Sequence, residues 1–246
     1  MVRGWEHERR NGVDLWRWCF DEGEWVAACA GAGVGAATRA FAEIEKDGAV
    51  SLAISTGWAG ALNGDYQVGQ AYLVGGVVDL RTGERFTVSE RSFTQGLKPE
   101  DLSGGVNGGA KAPPLQNNPW LVTSPIVANH EEKQRLADAY GAGLVDMEAA
   151  GVARLALMRG IPFYCLKAVS DGFREKLPDF NRFIRVDGRF DMAGMVLYSI
   201  MRPQFWPSLM RMGENSRKAS QAIRESLLDF LDERGFIRER NVYPGL

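Results

Sequence analysis

The stretch from Gly143 to Asp171 reads GLVDMEAAGVARLALMRGIPFYCLKAVSD, and it decides the fold. It opens with a short apolar run that ends in acidic residues. Apolar side chains at helical spacing follow and stop at Gly160-Ile161-Pro162, which predicts a helix. A continuous apolar run from Phe163 to Val169 comes next and is typical of a strand buried on both faces. The stretch therefore predicts a strand, a helix and a second strand.

Carboxylates stand where each of these predicted strands ends. Asp146 and Glu148 follow the first strand, with Met147 between them, and Asp171 ends the second. Because open α/β sheets bind ligands at the carboxyl ends of their strands, these acids predict a chemical site at one sheet edge. Each acid also has a structural explanation, Glu148 as a first-turn helix carboxylate and Asp171 as a turn residue before Gly172.

The composition narrows the class of protein. The chain has 246 residues, of which 45% are hydrophobic and 24% charged, and its formal net charge is −2. This balance allows a sizeable core and argues against a nucleic-acid-binding protein, which needs a basic surface to neutralise phosphates. His7 and His130 are the only histidines and lie far apart in the chain, so a histidine-rich metal site is excluded.

Three features predict the compartment. The amino-terminal segment lacks the apolar core of a signal peptide. No uncharged apolar run is long enough to span a bilayer, so no integral membrane protein is expected. Cys19, Cys29 and Cys165 lie in apolar segments without paired spacing and are expected to be free, buried thiols of a reducing compartment. The sequence thus predicts a soluble, cytoplasmic protein.

The remainder of the chain alternates strand and helix signals. Residues 1–14 are polar and predict a loop, and residues 92–118 are so rich in glycine, proline and asparagine that they predict a long surface loop. Pro203 and Pro207 predict that any helix in the apolar segment 191–212 is broken. The predicted strands are 15–20, 25–30, 49–55, 70–74, 77–79, 85–88 and 120–124, and the predicted helices are 38–46, 130–140 and 216–234. This alternation predicts an α/β protein with a central mixed sheet.

Two turns rich in small residues follow predicted strands. Gly31-Ala-Gly-Val-Gly35 is either a tight turn with close backbone approach or a loop whose N–H groups line a pocket for a nucleoside, water or phosphate. A dinucleotide site is disfavoured because the pattern is G-x-G-x-G and the next strand ends without an acid for a ribose. Thr56-Gly-Trp-Ala-Gly-Ala61 is the second predicted turn.

Four blocks carry a family resemblance. They are CAGAGVGAA from Cys29, STGWAGAL from Ser55 with Val68-Gly69, VDMEAAGVA from Val145, and IPF with KAVSD from Ile161 to Asp171. In this order they resemble the purine nucleoside phosphorylase/nucleosidase superfamily, in particular its methylthioadenosine/adenosylhomocysteine nucleosidase and hopanoid-associated nucleosidase branches. The resemblance implies a single α/β domain over residues 1–246, with a twisted central sheet flanked by helices, in a homo-oligomer. It implies no metal and no cofactor, with phosphate as a co-substrate only in a phosphorylase.

The resemblance also implies roles for individual residues. Glu148 is expected to bind the ribose hydroxyls and to stabilise the oxocarbenium-like sugar, with Met147 under the ribose. Asp171 is expected to be the general acid that protonates purine N7. The remaining residues that the resemblance places around the nucleoside are Ala32, Gly33, Thr56, Gly57, Trp58, Ile126, Phe180 and Phe183.

Two departures from the family pattern leave the activity open. The buried first strand of the family, whose end carries a catalytic Glu or phosphate-binding residues, is apparently missing, and Glu6 and Glu8 are poor replacements. Trp58 replaces a small residue, and no arginine lies in either glycine-rich turn to hold a phosphate, although Arg39 lies further along a helix. The second departure favours hydrolysis, by water, of a 5′-substituted purine nucleoside that releases adenine, whereas the missing strand makes a loss of catalysis plausible. A phosphorylase and a nucleoside-binding protein with impaired catalysis are the alternatives.

Overall fold

A computed structural model of the chain describes residues 5–20, 23–89, 118–175, 179–185, 188–191, 193–195, 198, 202 and 206–233. The predicted loop at 92–118 lies outside these residues except for Asn118, and so does part of the apolar segment 191–212. The described strands form two sheets, one of three strands and one of seven.

The small sheet is an antiparallel meander of β1 (Glu6–Arg10), β2 (Val13–Phe20) and β3 (Gly23–Cys29). The loop predicted for residues 1–14 is therefore wrong, because β1 pairs with β2 along its whole length. Charged side chains are typical of edge strands, and Arg10 binds Glu43 and Asp47 at the end of the following helix. Hydrogen bonds to β2 and ion pairs stabilise β1. Its sequence therefore has no apolar pattern from which a strand could be predicted.

One face of the small sheet packs on α1 (Val34–Glu45), where Val13 and Leu15 are fully buried. Cys29 points to the other face, and Cys19 lies near the far end of the hairpin, beyond this cluster. Both thiols are exposed, so the prediction of buried thiols is wrong for these two and confirmed for Cys165.

The large sheet has the order β5-β10-β4-β9-β8-β6-β7 and mixes parallel with antiparallel pairs. Its strands are β4 (Ala53–Ala61), β5 (Ala71–Leu73), β6 (Gly76–Asp79), β7 (Arg85–Thr87), β8 (Trp120–Thr123), β9 (Leu144–Asp146) and β10 (Phe163–Asp171). Helices flank this sheet, which confirms the predicted fold class.

The predicted turn Thr56–Ala61 lies inside β4, so that prediction is wrong. Small residues here serve close packing rather than reversal of the chain. A Cβ on Gly60 would lie 2.8 Å from Asp171 Oδ2 and 3.2 Å from a methyl group of Val145, so only glycine lets the neighbouring side chains approach this closely.

Helices among the described residues lie against the large sheet. The helix α2 (His130–Tyr140) has the predicted bounds, and α3 (Ala149–Arg159) ends at Gly160, whose φ of 66° gives a left-handed cap. The long helix α4 (Trp206–Glu233) packs against β10, β4 and β5. Pro207 is its second residue and lies in the first turn, where a missing N–H is no loss. Residues 193–195 and 198 are helical, Arg202 is not, and α4 begins at Trp206, so the predicted break in the apolar segment is confirmed, with Pro207 at the start of the second helix.

Candidate active site

Three neighbouring strands bring the acids together. β4 lies between β10, which runs parallel to it, and β9, which runs antiparallel to it. Asp171 of β10 and Val145 of β9 both pair with Gly60, from opposite sides. The two strand ends therefore meet beside Gly60, as predicted, but they do not meet as neighbouring ends of parallel strands. β9 and β10 run in opposite directions, and their acids converge because both strands flank the same segment of β4.

The convergence creates a cavity of about 290 Å³, near the lower end of the range for ligand pockets. Among the residues predicted for the site, Trp58, Ile126, Met147, Glu148 and Asp171 line it. Its other described lining residues are Ala59, Gly60, Val127, Ala128, Lys133, Val145, Asp146 and Ser170. The wall thus combines apolar surface with three carboxylates and one amine.

Glu148 directly precedes α3, and two backbone N–H groups hold its carboxylate. Its Oε1 accepts a hydrogen bond of 2.7 Å from the N–H of Gly33, and its Oε2 accepts one of 3.3 Å from Met147. Gly33 has a φ of 92°, which aims its N–H at the carboxylate and which favours glycine. Burial and the nearby Asp146 raise the pKa of Glu148, while Lys167 and the Gly33 N–H act in the opposite direction.

A buried ion pair supports this corner of the cavity. Lys167 Nζ lies 2.8 Å from Asp146 Oδ2, and both side chains are almost fully buried. The same carboxylate accepts hydrogen bonds from Thr123 Oγ1 at 2.7 Å and from the Ala149 N–H at 2.9 Å. Burial alone would lower the pKa of Lys167, but Asp146, Cys165 and Glu148 together outweigh it and the pKa is raised. Because these partners occupy Asp146, Glu148 and Asp171 are the carboxylates available to a ligand.

Asp171 has a partner that the sequence analysis missed. Lys133 Nζ of α2 donates to Asp171 Oδ2 and, at 2.9 Å, to the carbonyl of Gly172. Ser170 Oγ donates to Asp171 Oδ1 at 2.8 Å. Lys133 lies in the polar helix EEKQRLADAY, where a lysine is usually solvated. The only signal was its place three residues before the buried Leu136, on the same helical face.

Trp58 and Ile126 form exposed apolar parts of the wall. Trp58 is 52% exposed, and its indole Nε1 donates to Ser220 of α4 at 3.1 Å. Ile126 is 47% exposed and belongs to a turn closed by the hydroxyl of Ser124, which accepts from the Ile126 N–H and donates to its carbonyl. Both side chains leave apolar surface at the cavity that a ligand could cover.

The remaining predicted site residues do not line the cavity. Gly33 is linked to the cavity by its hydrogen bond to Glu148. The Ala32 N–H instead donates to the Gly188 carbonyl at 2.7 Å. Thr56 and Gly57 lie earlier in β4. Thr56 is exposed, and a Cβ on Gly57 would lie 3.8 Å from the Lys167 amine.

Phe180 precedes a short 3-10 helix, Asn181–Phe183, and Phe183 is the last residue of this helix. Asn181 bonds both the N–H and the carbonyl of Val127, a lining residue, at 2.7 and 3.1 Å. Phe180 is buried against Phe190, whose ring also contacts Phe183. Neither Phe180 nor Phe183 is among the residues that line the cavity.

The family model of the phosphorylase superfamily matches residues 8–197. The chain therefore belongs to the phosphorylase superfamily, and the family recognised from the sequence blocks is confirmed. This membership also confirms the prediction of an enzyme of the nucleosidase or phosphorylase type. A comparison with curated proteins finds no match.

Solved structures share the fold at low sequence identity. Futalosine hydrolase of Helicobacter pylori is 17% identical, with a TM-score of 0.62 over 94% of this chain and 89% of that one. A methylthioadenosine/adenosylhomocysteine nucleosidase of Colwellia psychrerythraea, solved with adenine, is 18% identical, with a TM-score of 0.61 over 94% and 87%. The corresponding nucleosidase of Helicobacter pylori is 17% identical, with a TM-score of 0.60 over 94% and 89%.

The described residues lack two other features, a metal-binding cluster and a membrane-spanning helix. They contain no group of three or more histidine, cysteine or acidic side chains that could hold a metal ion. None of the helices in this part of the chain combines the length and the apolar character needed to cross a bilayer.

Proposed function

We propose that this protein is a nucleosidase that uses water to cleave the N-glycosidic bond of a 5′-substituted purine nucleoside and releases adenine. The observation that carries the proposal is that Glu148 and Asp171 line one cavity together with Met147. The fold neighbours support the choice of substrate, since one was solved with adenine and another with 5′-methylthioadenosine in its active site.

Glu148 would bind the sugar. Each of its oxygens accepts one backbone hydrogen bond and retains capacity to accept another from a ribose hydroxyl. As the bond to the base breaks, positive charge develops on the sugar, and a carboxylate fixed beside it stabilises the transition state more than the ground state. Met147, which neighbours Glu148 in the wall, would pack under the ribose.

Asp171 would act on the base. A proton given to purine N7 lets the base leave as a neutral molecule, and positioned acids of this kind contribute about 10²–10⁴-fold to the rate. The hydroxyl of Ser170 and the amine of Lys133 fix the orientation of the carboxyl group. The apolar surface of Ile126 would contact the base edge.

Water is the proposed nucleophile because the described wall is poorly suited to phosphate. No arginine is among the described residues that line the cavity, and its one lysine is already bound to Asp171. Trp58 adds a bulky apolar group. A phosphate dianion is bound best by bidentate arginine or several N–H donors, so phosphorolysis is the less suitable reaction here.

Turnover with and without phosphate tests the proposal. Purified protein is assayed with 5′-methylthioadenosine, adenosylhomocysteine and inosine, and free base is measured. Release of adenine at the same rate in both buffers is the expected result. Turnover of inosine only when phosphate is present would show a phosphorylase. Adenine binding by calorimetry without any turnover would show a nucleoside-binding protein.

The same proposal includes the setting of the site. We infer that residues 1–246 form one domain that acts in the cytoplasm as a homo-oligomer, and that the reaction needs no metal or organic cofactor. Light scattering after size exclusion measures the oligomeric state, and a monomer would contradict that part of the proposal. Undiminished turnover after dialysis against a chelator is the result expected for a metal-independent enzyme.

A further inference from the structure

Lys133 is a buried amine at the cavity. Its side chain is 1% exposed, and it is the only basic side chain among the described residues of the wall. Its Nζ contacts three oxygen atoms, Oδ2 of Asp171, the carbonyl of Gly172 at 2.9 Å and, at 3.5 Å, the carbonyl of Asp171. All three acceptors belong to the end of β10, so the amine is bound to the segment that presents Asp171.

The surrounding structure fixes Lys133 in this position. Asn129 caps α2 by accepting from the Glu132 N–H at 2.9 Å, and the His130 ring bonds the Phe173 carbonyl at 2.9 Å. The first turn of α2 is thereby attached to residues 171–173. Gly60 leaves space for the pair, because a Cβ there would lie 3.1 Å from Cε of Lys133. Any larger side chain at position 60 would displace the amine or the carboxylate.

Stability alone is a poor reason for this arrangement. Removing an ammonium and a carboxylate from water has a large desolvation penalty, and apolar residues of similar volume are often at least as stable as a buried ion pair. Arg135, two residues along the same helix, forms its ion pair with Glu132 at the surface instead. Lys133 is buried and bound to Asp171, a carboxylate that lines the cavity, and this placement suggests a role in the reaction.

We propose that Lys133 is a positioning residue for Asp171, and that its ammonium stabilises the carboxylate left when Asp171 gives its proton to the departing purine. This inference rests on the proposed function. In the reaction the bond from C1′ to N9 breaks, its electron pair moves into the purine, and N7 takes the proton of Asp171. Water bonds to C1′ and loses a proton, which restores the acid. Lys133 keeps its protons throughout.

The test compares a leaving group that needs a proton with one that does not. Lys133→Gln is assayed on the purine nucleoside and on 4-nitrophenyl riboside, whose phenolate leaves unprotonated. If wild-type protein does not accept the riboside, the 7-methylated nucleoside replaces it, because its base already carries the positive charge. We expect kcat for the purine nucleoside to fall about 10²-fold, with KM within about threefold. The activated substrate should lose less than about threefold.

Two further variants test whether this selectivity belongs to the Lys133 ammonium. Arg135→Gln makes the same chemical change at the exposed position of the same helix and should leave both rates unchanged. Lys133→Met provides a second variant with an apolar stem in case Lys133→Gln does not fold, and the same selectivity is expected. Equal losses on both substrates in a folded variant, or no loss on either, would overturn the role of Lys133. Wild-type protein without turnover of any substrate would instead overturn the proposed function.

Discussion

Replacing Lys167 with methionine tests the buried support of Glu148. Methionine keeps much of the length of the side chain but removes the charge, so the Asp146 carboxylate would keep only Thr123 and the Ala149 N–H as partners. Removal of one member of a buried ion pair costs about 3–5 kcal/mol, because the other charge remains buried and unpaired. For a chain of this size each kcal/mol lowers Tm by about 2–4 °C, so a decrease of roughly 6–20 °C is expected.

The double variant Asp146→Asn/Lys167→Met makes the test specific. Removing both charges should be less destabilising than the sum of the two single changes, with a coupling energy of a few kcal/mol in urea unfolding. The acidic limb of kcat/KM should respond in parallel. Lys167 lowers the pKa of Glu148 and Asp146 raises it, so the limb should move to higher pH in Lys167→Met and return part of the way in the double variant. Single variants within about 1 kcal/mol of wild type, or strictly additive effects, would refute this reasoning.

Further predictions concern the cavity and the backbone that supports it. Gly33→Ala should lower the free energy of unfolding by about 1–3 kcal/mol and reduce kcat/KM. No atom lies within 4 Å of an added Cβ, but the φ of 92° is strained for alanine. An unchanged free energy of unfolding in urea would contradict this prediction. Activity should fall in acid with a midpoint above the usual pKa of a glutamic acid, because Glu148 acts as a carboxylate and burial and Asp146 raise its pKa. Glu148→Gln should lower kcat about 10²–10³-fold, and a flat pH profile in the wild type would oppose this role. Trp58→Ala should raise KM by about 5–30-fold, equivalent to roughly 1–2 kcal/mol of lost apolar contact. Tm should change little, because the indole is half-exposed and its hydrogen bond within the described structure is to Ser220. An unchanged KM would place the ligand elsewhere.

The elements with strong local signals could be predicted from the sequence. The strand that begins at Phe163 is a continuous apolar run, and the helix at His130–Tyr140, although polar, lies between the capping residues Asn129 and Gly141. The family blocks led to the superfamily because they consist of residues whose backbone or charge has a specific task. Gly33, for example, has a positive φ and directs its N–H at Glu148.

The elements that depend on tertiary contacts could not be predicted in the same way. The charged strand β1 is stabilised by its neighbour and by ion pairs rather than by apolar burial. The small residues of Thr56–Ala61 suggested a turn, whereas in β4 Gly60 permits close packing. The direction of β9 relative to β4 is a matter of pairing, which local pattern does not encode.

The buried lysines were missed for different reasons. Lys167 is the one charged residue in an otherwise apolar run, and that signal could have indicated a buried partner such as Asp146. Lys133 stands among acidic and basic neighbours on a helix, where a solvated side chain is the usual expectation. Its burial follows from the approach of α2 to the end of β10, which only the folded structure shows.

A crystal structure of Asp171→Asn with 5′-methylthioadenosine tests the central claim most directly. The exchange preserves the size of the side chain and removes the acid, so intact nucleoside should remain bound. The account predicts ribose hydroxyls within hydrogen-bond distance of Glu148 and purine N7 within hydrogen-bond distance of residue 171, in the cavity beside Met147. A nucleoside bound elsewhere, or one whose sugar and base both avoid these two side chains, would contradict it.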